Sequence, residues 1–148
     1  MGIRDALLDI KNRLPLTVTL VAVSKFKSNE DILEAYNAGQ RDFGENRPQE
    51  LMKKMAELPA DIRWHFIGHL QTNKIKMVID QSHLIHSVNS ERLFDELNRE
   101  ALKRGLVKDI LLQLYIAKEE SKQGLSSEEL NAILIKRGDY PAADIPFL

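Results

Sequence analysis

Residues 18–28, Val-Thr-Leu-Val-Ala-Val-Ser-Lys-Phe-Lys-Ser, decide how the rest of the chain is read. Val18 to Val23 is an almost continuous apolar run rich in β-branched side chains, the pattern of a strand covered on both faces. The next four residues, Ser24-Lys25-Phe26-Lys27, contain no glycine. A nucleotide-binding open sheet places a glycine-rich phosphate loop directly after its first strand, so that architecture loses support here. Ser28 and Asp31 then open a helix carrying Ile32, Leu33 and Tyr36. The pattern is that of a capping box, with aspartate in place of the usual glutamate or glutamine. Gly39 ends that helix.

The alternation of strand and helix continues outward. On the N-terminal side, Ile3, Leu7, Ile10 and Leu14 recur at helical spacing and predict a surface helix. On the C-terminal side, strands are expected at Arg41–Gly44, Ile62–Gly68, Leu84–Val88 and Ile110–Ile116. The helices between them are Pro48–Leu58, with Leu51 and Met55 inward, and Thr72–Ile79. Ser90 caps another that sets Leu93, Leu97 and Ala101 on one face, and Ser126 with Glu129 opens a last one through Ile135. Five β/α units thus repeat at intervals of roughly 20 to 25 residues, the size of a parallel βα repeat. Such alternation means a parallel sheet covered by helices. The expected fold class is α/β, a parallel (β/α) barrel of the TIM type. A complete barrel has eight units and usually takes about 250 residues. These 148 residues hold about five of the eight, so an incomplete barrel is expected. No break in composition divides the chain, and residues 1–148 are expected to form a single partial domain.

Composition narrows the function. The chain is 43% hydrophobic and 29% charged, ordinary values for a globular protein. Its formal net charge of -1 offers no field for nucleic acid or an anionic membrane. Cysteine is absent, which removes disulfides, thiolate metal sites and cysteine nucleophiles. No apolar stretch approaches the roughly 20 residues that span a bilayer, and residues 1–13 lack the apolar run of a signal peptide. The expected compartment is the cytoplasm.

In parallel α/β folds the chemistry gathers where the strands end. Those ends are Lys25; Gly44-Glu45-Asn46; Gly68-His69-Leu70-Gln71; Ser87-Val88-Asn89; and Tyr115-Ile116. An amine set against an apolar strand is poorly solvated, which favours the free base and attack on a carbonyl. Imine formation is one reading of Lys25; a side chain snorkelling to solvent is the other. Gly44 permits close approach of backbone to a ligand, and Asn46 can bond a ligand oxygen or cap the following helix. His65 should share a face with Ile67, with His69 in the loop beyond Gly68. Two histidines four apart suit a metal on a helix, but this segment reads as a strand entering a loop. No third ligand sits at a useful spacing, so no metal is expected. Ser87 can offer its hydroxyl to a bound ring or phosphate. The serine elbow of hydrolases and the Walker loop are both missing.

Three longer stretches carry a resemblance. Val-Ala-Val-Ser-Lys (21–25), Ala-Gly-Gln-Arg-Asp-Phe-Gly-Glu-Asn (38–46) and Trp-His-Phe-Ile-Gly-His-Leu-Gln-Thr-Asn-Lys (64–74) resemble the pyridoxal phosphate homeostasis protein family. Ile85-His86-Ser87-Val88, Leu111-Leu112-Gln113 and Glu119-Glu120-Ser121-Lys122 extend the match in order, over about residues 3 to 135. The resemblance implies a barrel similar to the N-terminal domain of alanine racemase. It implies pyridoxal 5′-phosphate held as an imine on Lys25, with Asn46, His65, Gly68 and Ser87 completing the cofactor site. It further implies a role in cofactor homeostasis without assigned turnover, and PLP-dependent apo-enzymes as partners. Asn89 stands where the family commonly has aspartate, and Tyr115 where it has asparagine or histidine. Residues 138–148 end the chain where members continue into strands six to eight, which bear their phosphate-binding loops. The expectation is therefore a C-terminally truncated member. It would hold the cofactor weakly and present strands one and five as edges open to self-association. A lysine-imine aldolase or racemase-like enzyme, with His65 or His69 as acid/base, is a different reading, and an inactive fragment is a third.

Overall fold

The computed structural model describes residues 2–115 and 124–136, and the backbone of 143–144. In chain order the elements are α1 (Ile3–Arg13), β1 (Ala22–Val23), α2 (Asn29–Asn37), β2 (Asp42–Glu45), α3 (Pro48–Glu57) and β3 (Arg63–Phe66). A 3₁₀ turn (Thr72–Lys74) leads into α4 (Ile75–Val78), followed by β4 (Ser82–Val88), α5 (Glu91–Arg104), β5 (Lys108–Leu112), α6 (Ser127–Lys136) and β6 (Ala143–Asp144).

Helix starts fall where the sequence supplies caps. Ser28 Oγ accepts from the Asp31 N–H at 3.1 Å, and Ser90 Oγ from the Leu93 N–H at 3.1 Å. Ser126 and Glu129 exchange bonds in both directions, at 3.2 and 3.4 Å, completing a capping box. Pro48 occupies the first turn of α3, where its missing N–H costs nothing. Gly105, at φ 65°, closes α5 in the left-handed conformation that glycine adopts without strain.

All six strands pair in parallel, and each lies beside its neighbours in sequence, in the order β1-β2-β3-β4-β5-β6. A doubly wound sheet reverses its order partway; this one does not. Unreversed order with right-handed crossovers puts the helices on one face and curls the sheet toward a barrel. Phe43, Trp64, Phe66, Ile85 and Ile110 of the strands meet Ile32, Leu51, Val78, Leu93, Phe94 and Ile133 of the helices in the core. The other face is the concave one. Register sets Gly44 opposite Val23 and His65 opposite Gly44, so these positions share that face. Among the described residues no helix is long and apolar enough to cross a membrane.

Four sequence expectations are corrected. The first strand is two residues long rather than Val18 to Val23, and Val18 and Val23 are about half exposed. It lies at the end of the sheet, so one side and part of its concave face lack a neighbour among the described residues. Ile10 points outward at 47% exposure, leaving Leu7 as the buried anchor of α1. Strand five is not an edge, because Lys108 and Asp109 pair with Ala143 and Asp144 of β6. The expected helix 72–79 opens as a 3₁₀ turn. Ile116 and Glu119 to Lys122 lie outside the described residues.

Candidate functional site

The sequence places its candidates at strand ends, and the structure sorts them. Lys25 follows β1 by two residues and is exposed. The poor solvation expected for it is therefore not supplied by the described residues, because β1 is an edge. Lys25 instead sits in a tight turn. The Lys27 N–H bonds Ser24 O at 3.0 Å, and Phe26, third in the turn, has φ 62°. Glycine is usual at such a position, and another residue there carries strain that its surroundings must hold.

Asn46 and Gly68 are brought into contact. A Cβ on Gly68 would lie 2.2 Å from Asn46 O, so only glycine fits beside that backbone. Asn46 does not cap α3; Arg47 occupies the cap position, and no side chain bonds there. Asn46 Oδ1 is buried without a partner among the described residues, and so is Ser87 Oγ. Buried polar atoms are nearly always bonded, and exceptions ask for an explanation. A polar ligand at these strand ends could supply partners for them. Pyridoxal phosphate, with an aldehyde for a lysine and polar ring substituents for an amide and a hydroxyl, fits that donor set.

His65 lies deeper, inside β3, at 3% exposure. Its Nε2 is 2.9 Å from Asp42 Oδ1 and its Nδ1 is 2.8 Å from His86 Nε2. Since the carboxylate accepts, His65 Nε2 carries the proton and Nδ1 accepts from His86. Arg63 grips the same carboxylate, Nε to Oδ1 at 3.0 Å and Nη2 to Oδ2 at 2.6 Å. The result is a chain, Arg63–Asp42–His65–His86, crossing three strands. Asp42, His65 and the exposed His83 each bring a possible ligand atom to within 4.8 Å of the others. This trio contains His65 but not the exposed His69, so the pair weighed from spacing is not the one the strands bring together, and Asp42 and His65 are already committed to Arg63 and His86.

Burial holds the His65 pKa below the ordinary imidazole value, opposed by its bond to Asp42. Burial lowers His86 as well, and His65 adds to the effect. For Asp42 burial pushes upward, but the bonds from Arg63 and His65 outweigh it and leave the pKa lowered. The consequence for stability has one sign. As pH falls below about 6.5, the unfolded imidazoles take up protons before the folded ones do, and stability is lost. Below about 4 the unfolded Asp42 protonates first, which removes more. The urea midpoint is expected to drop between pH 7 and pH 5, and His86→Gln to flatten that drop. A midpoint unchanged across this range would contradict the assignment.

Sequence reasoning missed a second cluster altogether. Lys54, on α3, is 5% exposed and bonds Ser24 O at 2.6 Å, Glu45 Oε1 at 2.5 Å and Glu50 Oε1 at 2.8 Å. The signal was present: Leu51, Lys54, Met55 and Leu58 follow the spacing of a buried helical stripe, with a lysine at one of its positions.

No family model matches the chain. It is 42% identical over 115 residues to the pyridoxal phosphate homeostasis protein of Aquifex aeolicus, covering 77% of this chain and 50% of that protein. For the protein of the same name from Schizosaccharomyces pombe the figures are 43% over 117 residues, 76% and 48%. The chain spans about half the length of the curated relatives it matches. Among solved structures, PipY of Synechococcus elongatus with PLP bound superposes with a TM-score of 0.90 at 37% identity, covering 99% of this chain and 69% of that one. Alanine racemase from Bartonella henselae, at 15% identity and a TM-score of 0.74, shares the fold. The incomplete racemase-type barrel read from the sequence is thus the fold observed, and the chain belongs to the family of PipY and the pyridoxal phosphate homeostasis proteins.

Proposed function

We propose that this chain binds pyridoxal 5′-phosphate as an imine on Lys25 and serves intracellular homeostasis of that cofactor as a binding or carrier protein. The observation that carries this reading is the rim itself. An exposed primary amine follows the first strand, while Asn46 Oδ1 and Ser87 Oγ, at the ends of the second and fourth, are buried and have no partner among the described residues. The solved structure of PipY with PLP bound supports the choice of ligand. Lys25 Nζ would condense with the aldehyde and release one water. Asn46 and Ser87 would meet the ring's polar groups, Gly68 would let backbone approach closely, and His65 would back the site from within the sheet.

The recipients in this reading are PLP-dependent apo-enzymes, and the compartment is the cytoplasm, since a donor must share its recipients' compartment. Half-exposed Val18 and Val23, beside a strand that pairs with β2 on one side and has no neighbour on the other among the described residues, favour association of β1 with a second copy of this chain. Sedimentation velocity over a concentration series checks that; a monomer throughout would sink it.

Borohydride reduction after incubation with pyridoxal phosphate, followed by peptide mapping, tests the central reading. A pyridoxyl group is expected on Lys25 above all other lysines, and Lys25→Ala should abolish the site-specific signal. Labelling spread evenly over Lys25 and the surface lysines would overturn the assignment.

A further inference from the structure

The Lys25 turn is held in an unusual way. Phe26 is 68% exposed, so burial does not fix it. Behind the turn lies a cleft of about 310 Å³ lined by Phe26, Ser28, Asn29, Glu50, Lys54 and Glu57, so there is room for it to shift. What opposes a shift is polar. Ser24, immediately before Lys25, donates from Oγ to Glu45 Oε1 at 2.8 Å, and its carbonyl accepts from Lys54 Nζ at 2.6 Å. Phe26, immediately after, donates its N–H to Glu50 Oε1 at 2.8 Å. Both carboxylates are themselves held by Lys54 Nζ. An ammonium has three protons, and here all three are used on this one turn and its two clamps. Arg47 adds its guanidinium over the Phe26 ring, 4.7 Å from the centroid.

We infer that Lys54 is a positioning residue for Lys25: through Glu45 and Glu50 it locks the strained Ser24–Lys27 turn and sets the direction from which the Lys25 amine meets a carbonyl ligand. The inference rests on the Lys25 reading for its functional consequence, while the locking itself is independent of any ligand. Charge and geometry fit the task. A strained left-handed Phe26 persists only where neighbours over-determine it, and bonds to ionised partners are the strong ones. Lys54 belongs to the helix between strands two and three, so the lock also ties β1, the edge strand, to its neighbour.

The test uses the whole chain in five forms: native, Lys54→Met, Lys54→Arg, Glu50→Ala and Lys25→Ala, each checked for folding by far-ultraviolet circular dichroism. Pyridoxal phosphate is the probe. The rate of Lys25 labelling at saturating probe is expected to fall at least tenfold in Lys54→Met and several-fold in Glu50→Ala. The visible dichroism of bound probe should be lost in Lys54→Met and partly restored in Lys54→Arg. Without probe, hydrogen exchange at the Phe26 and Lys27 amides should accelerate at least tenfold in Glu50→Ala. If Lys54→Met does not fold, the partly exposed Glu50 position decides. Native labelling rates and native exchange in Glu50→Ala would overturn the positioning role. Absence of Lys25 labelling in the native chain, with exchange accelerated as expected, would instead overturn the cofactor reading and leave the lock standing.

Discussion

Gly68→Ala is expected to lower the unfolding free energy by about 3 kcal/mol, an overpacking cost at the upper end of the usual range. The added Cβ would lie 2.2 Å from Asn46 O, 2.7 Å from Asn46 Cα and 2.8 Å from Asn46 C. These are backbone atoms, so no flexible side chain can turn aside. Nor is that backbone free to retreat. The Ile67 N–H bonds Glu45 O at 2.9 Å, and the Glu45–Phe66 pair closes the register immediately before it. Either the ends of β2 and β3 separate or the loop carrying Asn46 is pushed out of place. Gly39→Ala is the control: at φ 95° with nothing within 4 Å, it meets backbone strain alone and should cost about 1 kcal/mol. Urea titration of both variants measures the difference. A Gly68→Ala chain within about 0.5 kcal/mol of native would show that the close approach is not required.

The glycine illustrates what could be read from the chain and what could not. Its place at the end of a strand was legible in the expected strand Ile62–Gly68, but the close approach was argued there for Gly44 and not for Gly68. That the approaching group is the backbone of Asn46 depends on parallel register between β2 and β3, which periodicity does not specify. The same limit hid the histidine chain. His65 was recognised as a strand residue, but its partner His86 is set by a pairing whose register shifts between Trp64 and His65. No count of residues between two histidines anticipates such a shift. Ser28, Ser90 and Ser126 were legible as caps because capping is local, decided within four residues. β6 was not legible, since two residues give no period to detect. The apolar run 18–23 misled in a definite way. Its pattern suits a strand covered on both faces, whereas here β1 is two residues long and Val23 is half exposed.

Lys54→Met should have the largest effect on stability, a loss of about 3–5 kcal/mol at neutral pH, because it leaves a buried carboxylate without its counter-charge. Glu45 is fully buried and Lys54 nearly so, with side-chain exposures of 0% and 6%, so solvent does little to screen the loss. Glu45 would keep only the Ser24 hydroxyl at 2.8 Å, since its other oxygen has no partner among the described residues. The exposed pair of Arg13 and Asp9, at 76% and 50%, marks the opposite limit, and Arg13→Ala should cost less than about 0.5 kcal/mol. Adding Glu45→Gln to Lys54→Met removes the stranded charge while keeping an acceptor for Ser24. The double variant is therefore expected to be more stable than Lys54→Met alone, with a coupling energy of about 2 kcal/mol in the double-mutant cycle. Urea titrations of the four chains at pH 7 measure it. Strictly additive losses would mean that Lys54 and Glu45 stabilise the fold separately. In that case the turn bearing Lys25 would be held by packing rather than by the ammonium between its two carboxylates.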